Sequence, residues 1–307
     1  MFKENRNLQQ FYGRSLVELM IALTISMVIL IALITLFVAN KLTYRLTDDK
    51  ARLDEEGRLA LNLISFHVRM AGYGALSTAK PVDSMKMPFT NFMSPAQLLN
   101  YSAAPKLEAI EGCSGGFVDA SSVTHVCNNR DSSDAIIIRY VVDRDNANLN
   151  AANLPTDCLG QKVVVTPSVV ENRFFIATNA STHRSELYCV GNGGTVANVA
   201  NFTSSPQPIV ENISDMRISY GLDSDGDQSV DAFYSAESVS ALPEPNWSHV
   251  VSAQICLVMM SANNGLTTQR QQYRNCSGTL IYASDLRLYS TFSTVITLRS
   301  RASGSSL

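Results

Sequence analysis

The chain has 307 residues, of which 46% are hydrophobic and 17% charged, with a formal net charge of −3 and six cysteines. This length suffices for one large domain or two modest ones, and the composition excludes a collagen, a coiled-coil array and a basic nucleic-acid-binding domain. The apolar residues are concentrated near the N-terminus, where the first predicted element lies.

The first predicted element is a membrane-spanning helix. No charged residue occurs from Leu19 to Asn40, and residues 19–39 are mostly apolar. At about 1.5 Å per residue they form a helix of roughly 32 Å, enough to cross a hydrocarbon layer about 30 Å thick. Basic residues precede the run, so the positive-inside rule predicts a cytoplasmic N-terminus and export of everything after Asn40. These residues are Lys3, Arg6 and Arg14.

A cleaved secretory signal peptide is the alternative. Its apolar stretch is shorter, about 7–15 residues, and is followed by a cleavage site made of small residues. Here the run is longer, and residues 37–40 begin with a phenylalanine instead of a small residue. The sequence therefore favours a helix that is retained.

A lone glutamate, Glu18, lies at the edge of this run, five positions after Gly13. A charge inside a membrane helix costs about 2.5–3.5 kcal/mol even on lenient scales. One interpretation is that Glu18 lies at headgroup level, where the N-terminus of its helix favours negative charge. The other is that its carboxylate pairs with a cation of another subunit.

Gly13 and Glu18 together resemble the type IV prepilin family, whose members are cleaved after a glycine and carry glutamate at the fifth mature position. The resemblance implies cleavage between Gly13 and Arg14 by a prepilin peptidase, followed by N-methylation. It also implies that Glu18 is an assembly residue that meets the N-terminus of a neighbouring subunit. Arg14 departs from the usual apolar first residue, which leaves its methylation open.

The helix is predicted to continue beyond the membrane as an amphipathic half. Four apolar residues recur at spacings of 4, 3 and 4 and are expected to form its buried face: Leu59, Leu63, Phe66 and Met70. Gly57 is interpreted as a bend, and Gly72 and Gly74 as the end of the helix.

Several segments resemble the PilW-type minor pilins: 56–61, 69–74, 250–260 with the preceding Trp247, and 292–299. The resemblance implies an α+β, pilin-like fold in which the long helix packs on an antiparallel β-sheet head with long, disulfide-stapled loops. The expected divisions are a leader peptide (1–13), a transmembrane half (14–40), an amphipathic half (41–74) and an exported head (75–307).

The head is predicted to be β-rich. Alternating residues indicate a strand from Val251 to Met259. Further candidate strands are 134–142, 161–166, 173–178 and 216–221, and the expected long loops are 143–158, 191–208 and 261–279.

All six cysteines follow the apolar run, and an even number in an exported segment predicts disulfides. Fifteen pairings are open, of which we favour the local one: Cys113 with Cys127, Cys158 with Cys189, and Cys256 with Cys276. A zinc site is disfavoured because the sequence has no Cys-x-x-Cys pair.

Residues 223–234 have the spacing of an EF-hand calcium loop. The expected ligands are Asp223, Asp225, Asp227, Ser229 through its carbonyl, and Asp231. The segment departs from the pattern at Gln228, where glycine is expected, and at Tyr234, which leaves no bidentate glutamate unless Glu237 reaches in. The alternative is a solvated acidic turn between two strands. Calcium is the one cofactor that the sequence suggests.

No enzymatic motif is found, and none of the four histidines has zinc-protease spacing. Direct nucleic-acid binding is not expected, because residues 71–307 have 15 Lys and Arg against 20 Asp and Glu. The resemblance implies an inner-membrane protein with a periplasmic head that later joins the pilus at the cell surface. Its expected partners are other minor pilins, the major pilin, a tip adhesin and the prepilin peptidase. The alternatives are a type II secretion minor pseudopilin and a membrane-anchored periplasmic binding protein.

Overall fold

A computed structural model describes most of the chain after residue 14. The described residues are 15–73, 108–122, 124–128, 132–142, 149–163, 169–194, 202, 205–242 and 247–302. The leader peptide 1–13 and Arg14 lie outside them. The chain divides into two compact units, Met1–Asp48 and Asp49–Leu307.

The first element is a long helix, α1, from Leu16 to Met70. Its sequence has no proline, and its one glycine is Gly57, through which the helix continues without interruption. It ends where Gly72 takes a φ of 77°, a left-handed conformation that suits glycine. The N–H of Gly72 then donates to the carbonyl of Arg139 at 2.9 Å, which directs the chain onto the head.

The strands of the head follow in chain order: β1 Ile110–Cys113, β2 Ala135–Val141, β3 Val169–Thr178, β4 Ser185–Gly191, β5 Gln207–Glu211, β6 Ile213–Leu222, β7 Ala232–Ser235, β8 Val250–Met260, β9 Gln272–Arg274, β10 Leu280–Tyr282 and β11 Tyr289–Thr297. Short helices lie among them: α2 Ala236–Ala241, a 3-10 turn Trp247–His249 and α3 Arg299–Ala302.

These strands form two antiparallel sheets and a hairpin, where the sequence predicted a single sheet. The first sheet has the order β1-β2-β3-β4-β5, and the second has the order β11-β8-β6-β7. The hairpin pairs β9 with β10. The predicted α+β architecture, a long N-terminal helix with antiparallel sheets, is confirmed.

One core joins the C-terminal half of α1 to both sheets. Leu53, Ala60, Ile64 and Val68 of α1 pack in the same buried cluster as residues of the first and second sheets. The predicted buried stripe of α1 is wrong at Leu59 and Phe66, which are 52% and 39% exposed, whereas Leu63 and Met70 are half-buried and pack against the core. The buried face lies one residue further along and combines large apolar residues such as Leu53 and Ile64 with the small Gly57 and Ala60, where the helix backbone approaches the sheets closely.

Most of the predicted strands are confirmed within a few residues, as β2, β3, β6, β8 and β11. The candidate strand 161–166 is not one in its described part. There Lys162 makes only an isolated bridge to Thr156, and residues 164–166 lie outside the described residues. The predicted loop 261–279 is also corrected, because it contains β9.

Candidate functional site

The most exposed apolar surface belongs to the N-terminal half of α1. Every residue from 15 to 48 is exposed. By length and composition this helix can cross a membrane, and none of its most apolar window is buried. Its hydroxyl groups are satisfied within the helix, for example Thr24 donating to the carbonyl of Ile21 at 2.9 Å and Ser26 to that of Ala22 at 2.7 Å. These bonds allow polar residues to lie in lipid or between packed helices.

Glu18 lies in the first turn of α1 and is exposed. Its carboxylate has no hydrogen bond or ion pair to any residue that the structure describes. The N-terminus of a helix favours a negative charge, and this accounts for part of its placement. The predicted cleavage residues Gly13 and Arg14 lie outside the described residues.

Two polar contacts attach α1 to loops of the head. Asn263 donates through Nδ2 to both carboxylate oxygens of Asp49, at 3.0 and 3.1 Å. Asn212, which has a φ of 61°, donates to Glu56 at 3.3 Å. Burial raises the pKa of Glu56, and the Asn212 contact opposes this shift.

His67 forms the buried polar contact between α1 and the first sheet. Its Nδ1 lies 2.7 Å from the hydroxyl of Tyr140 and 3.1 Å from Nδ2 of Asn172. An amide nitrogen can only donate, so Nδ1 accepts and the ring is neutral. Burial lowers the pKa of His67 to about 4. The oxygen of Asn172 accepts from the N–H of Cys158 at 3.0 Å, which connects α1 to a disulfide-bonded loop.

Sequence analysis missed a buried charged row on the other face of the first sheet. Nε of Arg139 and Nε of Arg173 each lie 2.7 Å from a different carboxylate oxygen of Glu171. Burial alone raises the pKa of Glu171, but the two guanidinium groups outweigh it and hold that pKa below its ordinary value. The signal in the sequence was the pair of charged residues Glu171 and Arg173, which are two positions apart and therefore lie on the same face of a strand.

This charged row holds a loop over the sheet. Nη1 of Arg173 donates to the carbonyls of Ala120 and Ser122 at 2.8 and 2.6 Å. The Arg173 guanidinium also lies 4.0 Å from the ring centroid of Phe202. The disulfide Cys113–Cys127 closes the same loop, so the cluster is explained by packing.

The predicted calcium loop connects β6 to β7. Carboxylate oxygens of Asp223, Asp225 and Asp227 lie within 4.8 Å of one another. Both oxygens of Asp223 also accept backbone N–H groups, from Gly226 at 2.6 Å and Gln228 at 2.9 Å. Gln228 has a φ of 69°, the left-handed conformation that glycine holds more readily.

The remaining predicted ligands are arranged differently. Asp231 is not part of the three-aspartate group, and it accepts the N–H of Ser224 at 2.7 Å. Glu237 begins α2, where its N–H contacts Ser114. Hydrogen bonds from the side chain and backbone of Ser229 hold the pKa of Asp227 below its ordinary value. The donor set therefore fits a cation through three aspartates, and calcium binding stays a prediction.

The three disulfides of the structure follow the local pairing that we favoured. They join Cys113 to Cys127, Cys158 to Cys189, and Cys256 to Cys276. The first two tie loops to the first sheet, and the third ties the β9–β10 hairpin to β8.

Comparison with known proteins adds the following. Residues 173–300 match the model of the family described as type IV pilus-assembly protein W. No curated protein sequence matches the chain. Among solved structures, the chain is similar to the type IV-like pilin TTHA1219 from Thermus thermophilus, at 11% identity and a TM-score of 0.39, over 82% of this chain and 97% of that one. The predicted resemblance to PilW is thus confirmed over residues 173–300, which include the segments 250–260 and 292–299.

Proposed function

We propose that this chain is a minor pilin of a type IV pilus. The observation that carries the proposal is the helix α1, whose apolar N-terminal half is fully exposed and has one glutamate in its first turn, and whose C-terminal half packs on a head in which residues 173–300 match PilW. An apolar surface of this size is stable only in a membrane or among other apolar helices. A pilin occupies both environments in turn.

The precursor spans the inner membrane once, with Lys3 and Arg6 in the cytoplasm and the head in the periplasm. The three disulfides agree with a head that folds in an oxidising compartment. Prepilin peptidase cleaves between Gly13 and Arg14. After assembly the head lies on the pilus at the cell surface.

Assembly proceeds by insertion of α1 among the helices of other pilins. The carboxylate of Glu18 pairs with the N-terminal amine of a neighbouring subunit. Each charge alone pays a desolvation penalty in an apolar bundle, and pairing offsets both penalties. This pairing accounts for a charge that costs about 2.5–3.5 kcal/mol in a membrane helix when unpaired.

The chain acts at or near the pilus tip, where it joins other minor pilins to prime polymerisation of the major pilin. A tip adhesin is a further partner in this proposal. The functions supported in this way are twitching motility, adhesion and DNA uptake, and the chain itself carries out no catalysis.

A type II secretion minor pseudopilin is the second candidate, since it shares the leader and Glu18. The match to a family described by pilus assembly favours the pilus. Returning this chain to a strain from which its gene is deleted separates the two candidates. A pilin would restore twitching motility, whereas a pseudopilin would restore protein secretion.

Replacing Glu18 tests the proposal directly. We expect Glu18→Ala to be processed normally but to be lost from purified pili, as measured by immunoblotting of sheared pili against the membrane fraction. Glu18→Gln keeps the shape of the side chain without its charge and should fail in the same way. Met20→Leu, a neutral change two residues away, should assemble normally. Normal pilus incorporation of Glu18→Ala would contradict the pairing.

N-terminal sequencing of the membrane-extracted protein tests processing. The expected sequence begins at Arg14. A chain that still begins at Met1 would favour the membrane-anchored binding protein.

A further inference from the structure

The strand β11 forms one edge of the second sheet, and much of its outer side is open. Among the described residues β11 pairs only with β8, in a continuous register from Tyr289 opposite Met260 to Thr297 opposite Ser252. On one face Phe292 lies against Gly57 of α1, where an added Cβ would come within 2.7 Å of its ring. α1 therefore packs on the face of β11 that carries Phe292.

The hydrogen-bond pattern shows which residues of β11 face outward. At one end the N–H of Leu298 donates to Val251 at 2.9 Å, and at the other the N–H of Ser261 donates to Leu288 at 2.8 Å. In an antiparallel ladder the bonded residues alternate, so even-numbered residues of β11 bond to β8. The N–H and C=O groups of the odd-numbered residues point away from the sheet.

One end of this outer edge is covered by the protein's own side chains. Gln271 donates to the carbonyl of Tyr289 at 2.9 Å and accepts its N–H at 2.7 Å, as a neighbouring strand would. The hydroxyl of Thr291 donates to the carbonyl of Arg274. From Ser293 to Thr297 no backbone partner on the outer side is found among the described residues.

This open segment lacks the features that protect edge strands. Natural edges are usually protected by charge, proline, a bulge or a covering loop. β11 has no charged residue and no proline, and its pairing with β8 has no bulge. Four of its five C-terminal residues are β-branched, and Ser293, Val295 and Thr297, which lie on the same face, are exposed, with Val295 at 56%. Such a segment readily accepts another strand.

We propose that Ser293–Thr297 binds an extended, uncharged strand of a different pilus subunit, which adds to the second sheet as a further strand. The outward N–H and C=O groups of Ser293, Val295 and Thr297 bond to its backbone. This inference rests on the proposed function, because it takes the partner from the assembled pilus.

A second copy of this chain fits the edge less well. Antiparallel pairing of two identical edges needs a two-fold axis normal to the sheet. That axis reverses the direction of the C-terminal half of α1, which packs on the sheet. Two subunits that both enter one membrane through their N-termini run in the same direction, so a different subunit is the partner.

Hydrogen exchange of the full-length protein tests the edge. The amides of Ser293, Val295 and Thr297 should exchange rapidly in the detergent-solubilised monomer and at least about tenfold more slowly in sheared pili. Protection already present in the monomer would overturn the inference, because the chain would then cover its own edge. If the protein instead forms a dimer in detergent and the same three amides are protected in that dimer, the partner is a second copy of this chain and the inference is overturned.

Three variants at Val295 separate backbone from side-chain effects. Val295→Pro removes an outward N–H without touching the bonds to β8, and Val295→Lys places a charge on the edge while keeping the N–H. Both should lower incorporation into pili by about fivefold or more. Val295→Pro loses a backbone hydrogen bond to the added strand, and the charge of Val295→Lys disfavours the addition of that strand. Val295→Ala keeps the N–H without adding charge and should assemble like the wild type.

The comparison is made on variants with wild-type processing, membrane insertion and thermal midpoint. Absence of the wild-type chain from pili would defeat the proposed function itself. The strand addition alone would be overturned by a different result. In that result the wild-type chain is found in pili, Val295→Lys is incorporated equally well, and the three amides are not protected.

Discussion

His67 places a neutral imidazole at the contact between α1 and the first sheet, and burial lowers its pKa to about 4. In an unfolded chain a histidine has a pKa of about 6.5. Between these two values the unfolded state binds the proton and the folded state does not. Stability therefore falls as the pH falls through this window, and it is unaffected by His67 above it.

We expect the free energy of unfolding to drop between pH 7 and pH 4 by up to roughly 3 kcal/mol more in the wild type than in His67→Gln. Urea unfolding of the two proteins across this range measures the difference. His183 is exposed, so His183→Gln should keep the wild-type pH profile. Parallel profiles for the wild type and His67→Gln would show that folding does not lower the pKa of the imidazole.

Two buried tyrosines differ in the environment of their hydroxyl groups. The hydroxyl of Tyr140 bonds to His67, whereas the hydroxyl of Tyr220 is buried and has no hydrogen-bond partner among the residues that the structure describes. A buried polar group costs free energy unless it is paired. We expect Tyr220→Phe to leave the thermal midpoint unchanged or raise it, and Tyr140→Phe to destabilise by about 1 kcal/mol or more. A clear loss of stability in Tyr220→Phe would show that its hydroxyl is satisfied.

At the scale of elements, the packing of α1 depends on the close approach at Gly57. An added Cβ would lie 2.7 Å from the ring of Phe292, closer than atoms pack. Alanine favours a helix over glycine by about 1 kcal/mol, yet we expect Gly57→Ala to destabilise by about 1–3 kcal/mol because the ring must move.

A double-mutant cycle checks this reasoning. In a Phe292→Ala background the clash is absent, so Gly57→Ala should become neutral or stabilising there. Chemical unfolding of the four proteins gives the coupling energy. Equal effects of Gly57→Ala in both backgrounds would rule out the contact as the cause.

The β6–β7 loop gives a prediction about ligand binding. If calcium uses its three clustered aspartates, millimolar calcium chloride should raise the thermal midpoint of the wild type by linkage. Asp225 is exposed, so Asp225→Asn should fold normally and lose the shift. Magnesium chloride is the control for ionic strength. If calcium leaves the wild-type thermal midpoint unchanged, the loop is the solvated acidic turn instead of a calcium site.

At this scale the sequence predicted long strands with strong patterns, such as β8, and missed short ones. β9 has three residues and β1 has four, too few to show a period. The stripe of α1 was misjudged by one residue, because large apolar residues were expected to be buried. The sheets instead pack on the adjacent face, which contains Gly57, Ala60 and Ile64.

At the scale of the whole molecule, disulfides hold the loops that the two sheets leave uncovered. Cys158–Cys189 closes a separation of 31 residues and holds the loop in which Asp157 accepts the N–H of Gly193 at 2.9 Å. We expect the double variant Cys158→Ala/Cys189→Ala to lose about 2–4 kcal/mol of stability. The thermal midpoint measures this loss, and an unchanged midpoint would show that the remaining contacts suffice.

The sequence by itself determined the long apolar helix, the lone Glu18, the six cysteines that follow that helix and the resemblance to PilW. These features depend on composition and spacing along the chain, which need no knowledge of what lies beside them. Only the tertiary structure decided the buried face of α1, the Arg139–Glu171–Arg173 row and the open edge of β11. These depend on which strands are neighbours, and strand order is set by contacts between residues far apart in the chain.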